Sequence, residues 1–487
     1  MTRDDGKRIS TQVLVIGSGA GGAIAAATLA EAGLSVVIAE EGSEIDTSAM
    51  ETHTPEAMRL LYRNGGLSPI LGRSNIAFVE GCCVGGSTEI NSAFWQRTPE
   101  VVLDAWRRSH GVADLSPEAL ASLFDEIEPV LHVSSLKSAA VPESSAVFRS
   151  GAEKLGWRLE EIPRAQKVDL ASSQFSAGAK QSASRTYLPR ARAAGARLLS
   201  GCRVERLHYR DGRVSHAVAI VSGPQGSREL EIEADNVFVC AGAIQTPALL
   251  RRSGIKGNVG NSLRIHPMLK IAALFDHRLD SHRSALPIYQ VKEFWPELTL
   301  GGSVFTPGFL AVTLSDNWAE NQSVLKDWRN MGLYYAACRS SRRGTVRVFP
   351  LTGEAVVRYD LSEEDCARLS RGLALLGEAL FAGGAVALYP ALRSPPRITS
   401  VAQCREYLKG TLPAARMNLS TVHAFSSCPM GENRRLCAVD SYGKVFDFAN
   451  LYLADASVLP DSPGINPQGT IMALALRAAR RFLAGSR

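Results

Sequence analysis

Residues 13–42, VLVIGSGAGGAIAAATLAEAGLSVVIAEEG, decide the fold. Val13, Leu14, Val15 and Ile16 form a short apolar run of the kind that makes a strand buried on both faces of a parallel sheet. The next six residues, Gly17-Ser18-Gly19-Ala20-Gly21-Gly22, match G-x-G-x-x-G. An alanine-rich stretch over 23–32 predicts a helix, Gly33 ends it, and 36–39 reads as a second strand. Glu40 follows, 18 residues after Gly22. Each part has a task in a unit that holds a dinucleotide. Gly17 permits the tight turn out of the strand. Gly19 lets backbone N–H groups approach a pyrophosphate, with Ala20 and Gly21 opening the helix whose N-terminus faces the phosphates. Gly22 lets helix and strand pack closely. Glu40, with Glu41 beside it, is placed to accept hydrogen bonds from both ribose hydroxyls. A purely structural βαβ unit is the competing reading. The strand–turn–helix context and the acid at the expected distance favour a dinucleotide. The motif does not separate FAD from NAD, although its place near the start of the chain leans toward FAD.

Outward from this unit, residues 101–108, 117–130 and 143–155 show helical spacing. Residues 197–204 and 214–221 flank Asp211-Gly212, a hairpin signal, and 229–234 and 236–240 read as further strands. Between 265 and 360, short runs at 271–275, 309–314 and 344–349 suggest an antiparallel sheet. A helix is expected over 361–382, a strand over 450–454 and a last helix over 469–483. This order fits one domain assembled from both chain ends with a second inserted.

Composition closes other routes. With 45% apolar residues in 487, the chain can bury a large core, so disorder is excluded. A net charge of +6 without a run of five Lys/Arg is no nucleic-acid footprint. The first ten residues lack the apolar core of an export signal, which favours the cytoplasm, and no apolar run reaches membrane-spanning length. Nine scattered cysteines without C-x-x-C, and no H-x-x-x-H or H-E-x-x-H, indicate neither a disulfide framework nor a metal site.

Four further segments bear a family resemblance. EGCCVGGSTEIN (80–91), followed by Arg97, Pro99 and Trp106, resembles the glycine-rich segment of the glucose–methanol–choline (GMC) oxidoreductases. SRTYLP (184–189) leads toward Val204, and VCAGAIQTPALL (239–250) resembles that family's second signature. The C-terminal part contains HAFSSCPMG (423–431), NLYLADASVLP (450–460) and GINP (464–467). With the N-terminal motif, five segments occur in the family's order over nearly the whole chain. About 270–410 carries no family motif; substrate identity would be written there.

The resemblance implies an α/β fold of mixed type. A Rossmann-like FAD-binding domain (1–160, 196–265 and 415–487) would be joined by a substrate domain (161–195 and 266–414) with an antiparallel sheet and helices. It implies FAD as hydride acceptor, reoxidised by O2 or another acceptor, and an alcohol as the small-molecule substrate. It places Gly81, Gly85, Gly86, Ser87 and Asn91 along the flavin, with Asn91 near the reacting carbon. The Val204 backbone would lie at adenine, and Ala241 and Gly242 at the cofactor. Asp455 would sit beside ribityl and pyrophosphate, and Ala456, Asn466 and Pro467 near the ring. His423 would be the base, its imidazole suited by a pKa near neutrality. Asn466 takes the partner position, where an amide orients the substrate oxygen but cannot act as a base. Some relatives attach FAD through a histidine at the position of Ile90, so non-covalent FAD is expected. Cys428 reads as packing, and His266, in RIHP (264–267), as structural. The alternatives are a lyase or light-driven decarboxylase on the same fold, and an NAD-dependent dehydrogenase that would explain only the N-terminal motif.

Overall fold

The computed structural model describes residues 7–48, 50, 53–135, 141–167, 179–223, 226–283, 288–407 and 409–485. The expectations for residues 1–6, and for 168–178 of the inserted domain, lie outside them. Strand Arg8–Ile16, helix Ala20–Glu31 and strand Val36–Ala39 form the expected βαβ unit. Arg8–Ile16 lies between Val36–Ala39 and the long strand Gly226–Val239, both parallel to it. Arg197–Leu199 extends the sheet beyond Val36–Ala39. On its other edge Gly226–Val239 carries two partners in succession. Its first half pairs with Arg213–Gly223, which pairs in turn with Cys202–Arg210; its last three residues pair in parallel with Leu451–Leu453. One seven-stranded sheet thus joins the two chain ends.

The Asp211-Gly212 hairpin forms as expected, with φ of +49° and +69°. That pair of left-handed residues makes the tight turn whose twist matches the strands. Two details differ. Residues 197–204 are two strands broken at Ser200-Gly201, because the first pairs with Val36–Ala39 and the second with the hairpin. Residues 229–239 belong to one strand, since pairing with Arg8–Ile16 runs through Ala234 and Asn236 despite the polar break, and Cys240 lies just past its end.

A nine-stranded sheet makes the second layer, with Met268–Phe275 and Met331–Cys338 at its centre. Its pairs are antiparallel except Asn75–Phe78 on Asn418–Thr421. Helices Glu143–Lys154 and Glu363–Ala382 cover one face, burying Phe148, Leu369, Leu373 and Leu376 against Leu269, Ile271 and Leu300. Ser362 and Asp365 form a capping box that starts the longer helix. Residues 309–314 are not a strand but the end of helix Pro307–Leu314. Thr306 caps it by accepting from the Phe309 N–H, and Pro307 takes the first turn, where its missing donor costs nothing. The chain crosses between the two cores often. Strands Ser68–Ile70 and Asn75–Phe78 enter the second sheet, while Tyr187 and Leu188 pack in the first core. Among the described residues, no helix is long and apolar enough to cross a membrane.

Candidate active site

A cavity of about 960 Å³ lies between the two layers, and the fingerprint turn, the loop around 81–96 and the turn at 464–468 all open onto it. The glycines of residues 17–22 divide the work. Added Cβ atoms at Gly21 and Gly22 would fall 1.8 Å from the Ala454 carbonyl oxygen and 2.0 Å from that of Gly17. Gly17, at φ +102°, would meet the Cys240 carbonyl. These three let the protein close on itself. Gly19 instead borders open space, with nothing within 4 Å of a Cβ. It caps helix Ala20–Glu31 without a side-chain bond, so the free N–H groups of the first turn face the cavity. That cradle fits a pyrophosphate.

Glu40 is buried and heavily used. Its Oε2 accepts from the Ser18 N–H (2.9 Å) and hydroxyl (2.6 Å), and its Oε1 from the Gly42 N–H (2.8 Å). A carboxylate takes about four such bonds, so the expectation of two ribose hydroxyls narrows to one further donor, at Oε1. Burial raises the Glu40 pKa against the pull of these bonds. Glu41 also lines the cavity, ion-paired with Arg63 at 2.7 Å. Asp455 braces two turns. Its Oδ2 accepts from the Gly242 N–H (2.8 Å) and the Thr246 hydroxyl (2.5 Å), its Oδ1 from the Ser457 N–H (2.7 Å).

His423 is half-buried and lines the cavity. Its Nδ1 lies 3.1 Å from His266 Nδ1 and its Nε2 3.2 Å from Asn466 Nδ2. Asn466 Oδ1 accepts from Gln290 Nε2 at 3.2 Å, so the amide turns its N–H toward the imidazole. The network assigns the tautomer: His423 Nε2 accepts, His423 Nδ1–H donates to His266, and His266 Nε2–H donates to the Ser462 hydroxyl at 2.7 Å. Burial pushes the His423 imidazole down to about 4, and burial together with His423 pushes His266 well below its usual value. Both rings are therefore neutral near pH 7. Asn91 also lines the cavity, its Nδ2 donating to Gln468 Oε1 at 2.6 Å. Lys180 binds the carbonyls of Glu89 and Asn91 and holds that loop.

Gly17, Gly19, Ala20, Gly21, Glu40, Glu41, Gly81, Gly86, Ser87, Asn91, Val204, Ala241, Gly242, Asp455, Ala456, Asn466, Pro467 and His423 all reach the cavity. Gly22 and Gly85 do not. Gly22 packs on Gly17, and the Gly85 N–H donates to the Ser18 hydroxyl at 2.9 Å, fastening the glycine-rich segment to the fingerprint. Ile90 lies in a small apolar cluster with Leu61 and Tyr62. Cys428 is fully buried. His266, read from the sequence as structural, stands with its ring edge-on to His423, centroids 5.2 Å apart. Sequence reading missed its contact, and those of Gln290 and Ser462, because no spacing links residues 157 positions apart.

A dinucleotide-type glycine turn and a histidine–asparagine pair open on one cavity, with a second sheet closing its far side, in a dinucleotide-binding α/β protein. The chain matches the N-terminal GMC oxidoreductase family over residues 58–268, the C-terminal one over 340–475, and an FAD binding domain over 12–51. It is 41% identical over 485 residues to a GMC-type oxidoreductase of Sinorhizobium fredii, covering 98% of this chain and 96% of that one. It is 27% identical over 520 residues to a long-chain-alcohol oxidase of Arabidopsis thaliana, covering 98% and 67%. The crystal structure of pyridoxine 4-oxidase from Mesorbium loti shares the fold, with a TM-score of 0.72, 18% identity, and 97% and 99% of the two chains covered. The chain belongs to the GMC oxidoreductase family.

Proposed function

We propose that this enzyme oxidises an alcohol to a carbonyl compound, with His423 as base and Asn466 holding the substrate oxygen. The carrying observation is the acceptor lone pair of His423 Nε2 held at Asn466, in the cavity that the Gly19 cradle shares. Bound FAD would supply the ring that accepts the hydride. The substrate hydroxyl would replace the Asn466 N–H at His423 Nε2, and that lone pair takes the hydroxyl proton as the C–H bond gives up its hydride and the carbon–oxygen double bond forms. A neutral imidazole already desolvated makes this transfer without shedding water. The Asn466 N–H stabilises the oxygen as charge builds on it. In this reading the first core holds FAD and the nine-stranded sheet walls the substrate. Relatives named for oxidising long-chain alcohols and pyridoxine fit the same chemistry. The test is anaerobic addition of an alcohol panel to the holoenzyme. Loss of the oxidised-flavin band supports the proposal; turnover without bleaching overturns it in favour of a lyase.

FAD is held without a covalent bond in this proposal, because Ile90, which lines the cavity, takes the sequence position at which some relatives carry a linking histidine. Acid precipitation should release all the flavin to the supernatant. Colour remaining in the pellet would refute it.

His266 is a positioning residue, keeping the proton on His423 Nδ1. His266→Ala should lower kcat by about 10- to 100-fold, because a ring free to flip or switch tautomer is misaligned for part of the time. His266→Gln, whose amide oxygen can accept from Nδ1–H, should recover part of that loss. Equal losses in the two variants would point to packing alone.

A further inference from the structure

The substrate side of the cavity carries two cations, Lys292 and Arg339, that make no ion pair among the described residues. Lys292 follows strand Tyr289–Val291, is 4% exposed, and its Nζ has no hydrogen-bond partner among the described residues. Arg339 lines the same cavity and makes no ion pair among the described residues; the nearby Asp461 is taken by Arg264 at 2.9 Å. The carboxylate on this wall, Glu297, is shared with Arg371 at 3.8 Å. A buried ammonium left unpaired is costly, and proteins leave one facing a cavity where a ligand supplies the counter-charge.

Both cations are near the chemistry. The charges of Lys292 and Arg339 are each felt at His266. A Cβ added at Gly464, two residues before Asn466, would sit 3.7 Å from Arg339 Cδ. Gln290, which touches Asn466, is two residues before Lys292, and both line the cavity. Gln290 Oε1 is also buried without a partner. The orphaned ammonium calls for an anion on the ligand. Lys292 also walls a smaller adjoining cleft, where the Glu160 charge acts on it, and it lines the main cavity as well.

We propose that the substrate is a small alcohol bearing a carboxylate or phosphate, held by Lys292 and Arg339 close to the carbon that is oxidised. This rests on the alcohol-oxidising reading and adds the chemical class. Binding is tested first, with unreactive probes on the holoenzyme: benzoate, phenyl phosphate and the neutral near-isostere benzamide, followed by the shift of the flavin spectrum. At least one anion should bind about tenfold or more tighter than benzamide, with Lys292→Met and Arg339→Met each removing most of that advantage. The two anions separate carboxylate from phosphate recognition. Equal affinity for benzamide and both anions, or variants that weaken all three probes alike, would overturn the proposal. Reduction is tested second, with 4-(hydroxymethyl)benzoate against benzyl alcohol. Faster flavin bleaching by the acid supports the class assignment, and faster bleaching by benzyl alcohol defeats it. If the anions bind selectively but no alcohol bleaches the flavin, the alcohol reading fails while the anion site stands.

Discussion

His423→Ala is expected to purify with its full complement of flavin and to lose alcohol-driven flavin reduction by about 10²- to 10⁴-fold, the usual worth of a positioned general base. The side chain touches none of the residues that cradle the pyrophosphate. Its contacts are His266 and Asn466, so cofactor retention should not follow it. Reduction of the bound flavin by dithionite should be unchanged, because that reductant needs no proton taken from an alcohol. A variant that reduces at wild-type rate with its best alcohol would sink the assignment of the base. Asn466→Ala should cost less, since it removes one donor to the oxygen and leaves the base in place.

The pH profile gives a second view of the same ring. Burial holds the folded-state value at about 4, below the ordinary histidine value. Between the two, the unfolded chain binds a proton that the folded chain does not. Stability from this group therefore falls as pH drops from about 6.5 toward 4 and is flat above, by linkage. Activity follows the same window: the acid limb of kcat/KM should lie near 4. A limb close to 6.5, the unperturbed value, would show an imidazole in contact with bulk water and remove the desolvated base from the mechanism.

The parts of this protein legible in its sequence are those whose physics is local. Residues 13–42 carry strand, turn and helix within one window, and the turn glycines announce themselves. Helix Pro117–Val130 and the Asp211-Gly212 hairpin were equally plain, one from its apolar spacing and one from its need for two left-handed residues. Helix Pro307–Leu314 reads as a strand in the sequence because its β-branched residues and phenylalanine mimic one, whereas the Thr306-Pro307 start signal outweighs them in the fold. What escaped altogether is non-local. Asn75–Phe78 pairs with a strand more than 300 residues away, and His266 meets His423 only because short strands Arg264–Ile265 and Ala424–Phe425 pair. Lys292 looks like an ordinary surface lysine until the fold closes around it.

The glycine turn gives the sharpest separation of folding from cofactor binding. Gly21→Ala should fail to accumulate as folded protein, because its methyl would lie 1.8 Å from the Ala454 carbonyl oxygen. That obstacle is backbone in the strand–turn segment that carries Asp455, and it cannot rotate away as a side chain could. Forcing the two apart would separate helix Ala20–Glu31 from Asp455 and the Gly242 turn it braces, at a cost of several kcal/mol, on the order of the largest single-residue effects. Gly19→Ala has the opposite character. Its φ of −69° suits alanine, and the new methyl meets no protein atom within 4 Å. The variant should fold with an unchanged melting temperature once both proteins are stripped of flavin. Its methyl would instead occupy space where a pyrophosphate must approach the N–H groups of the first helical turn. It should therefore purify pale, with FAD affinity lower by about 100-fold or more, as expected when several charge-assisted bonds are lengthened together. Flavin content and calorimetric melting of the two variants decide the matter. A fully yellow Gly19→Ala would mean that the cofactor lies elsewhere, and with it the alignment of the reacting ring to His423.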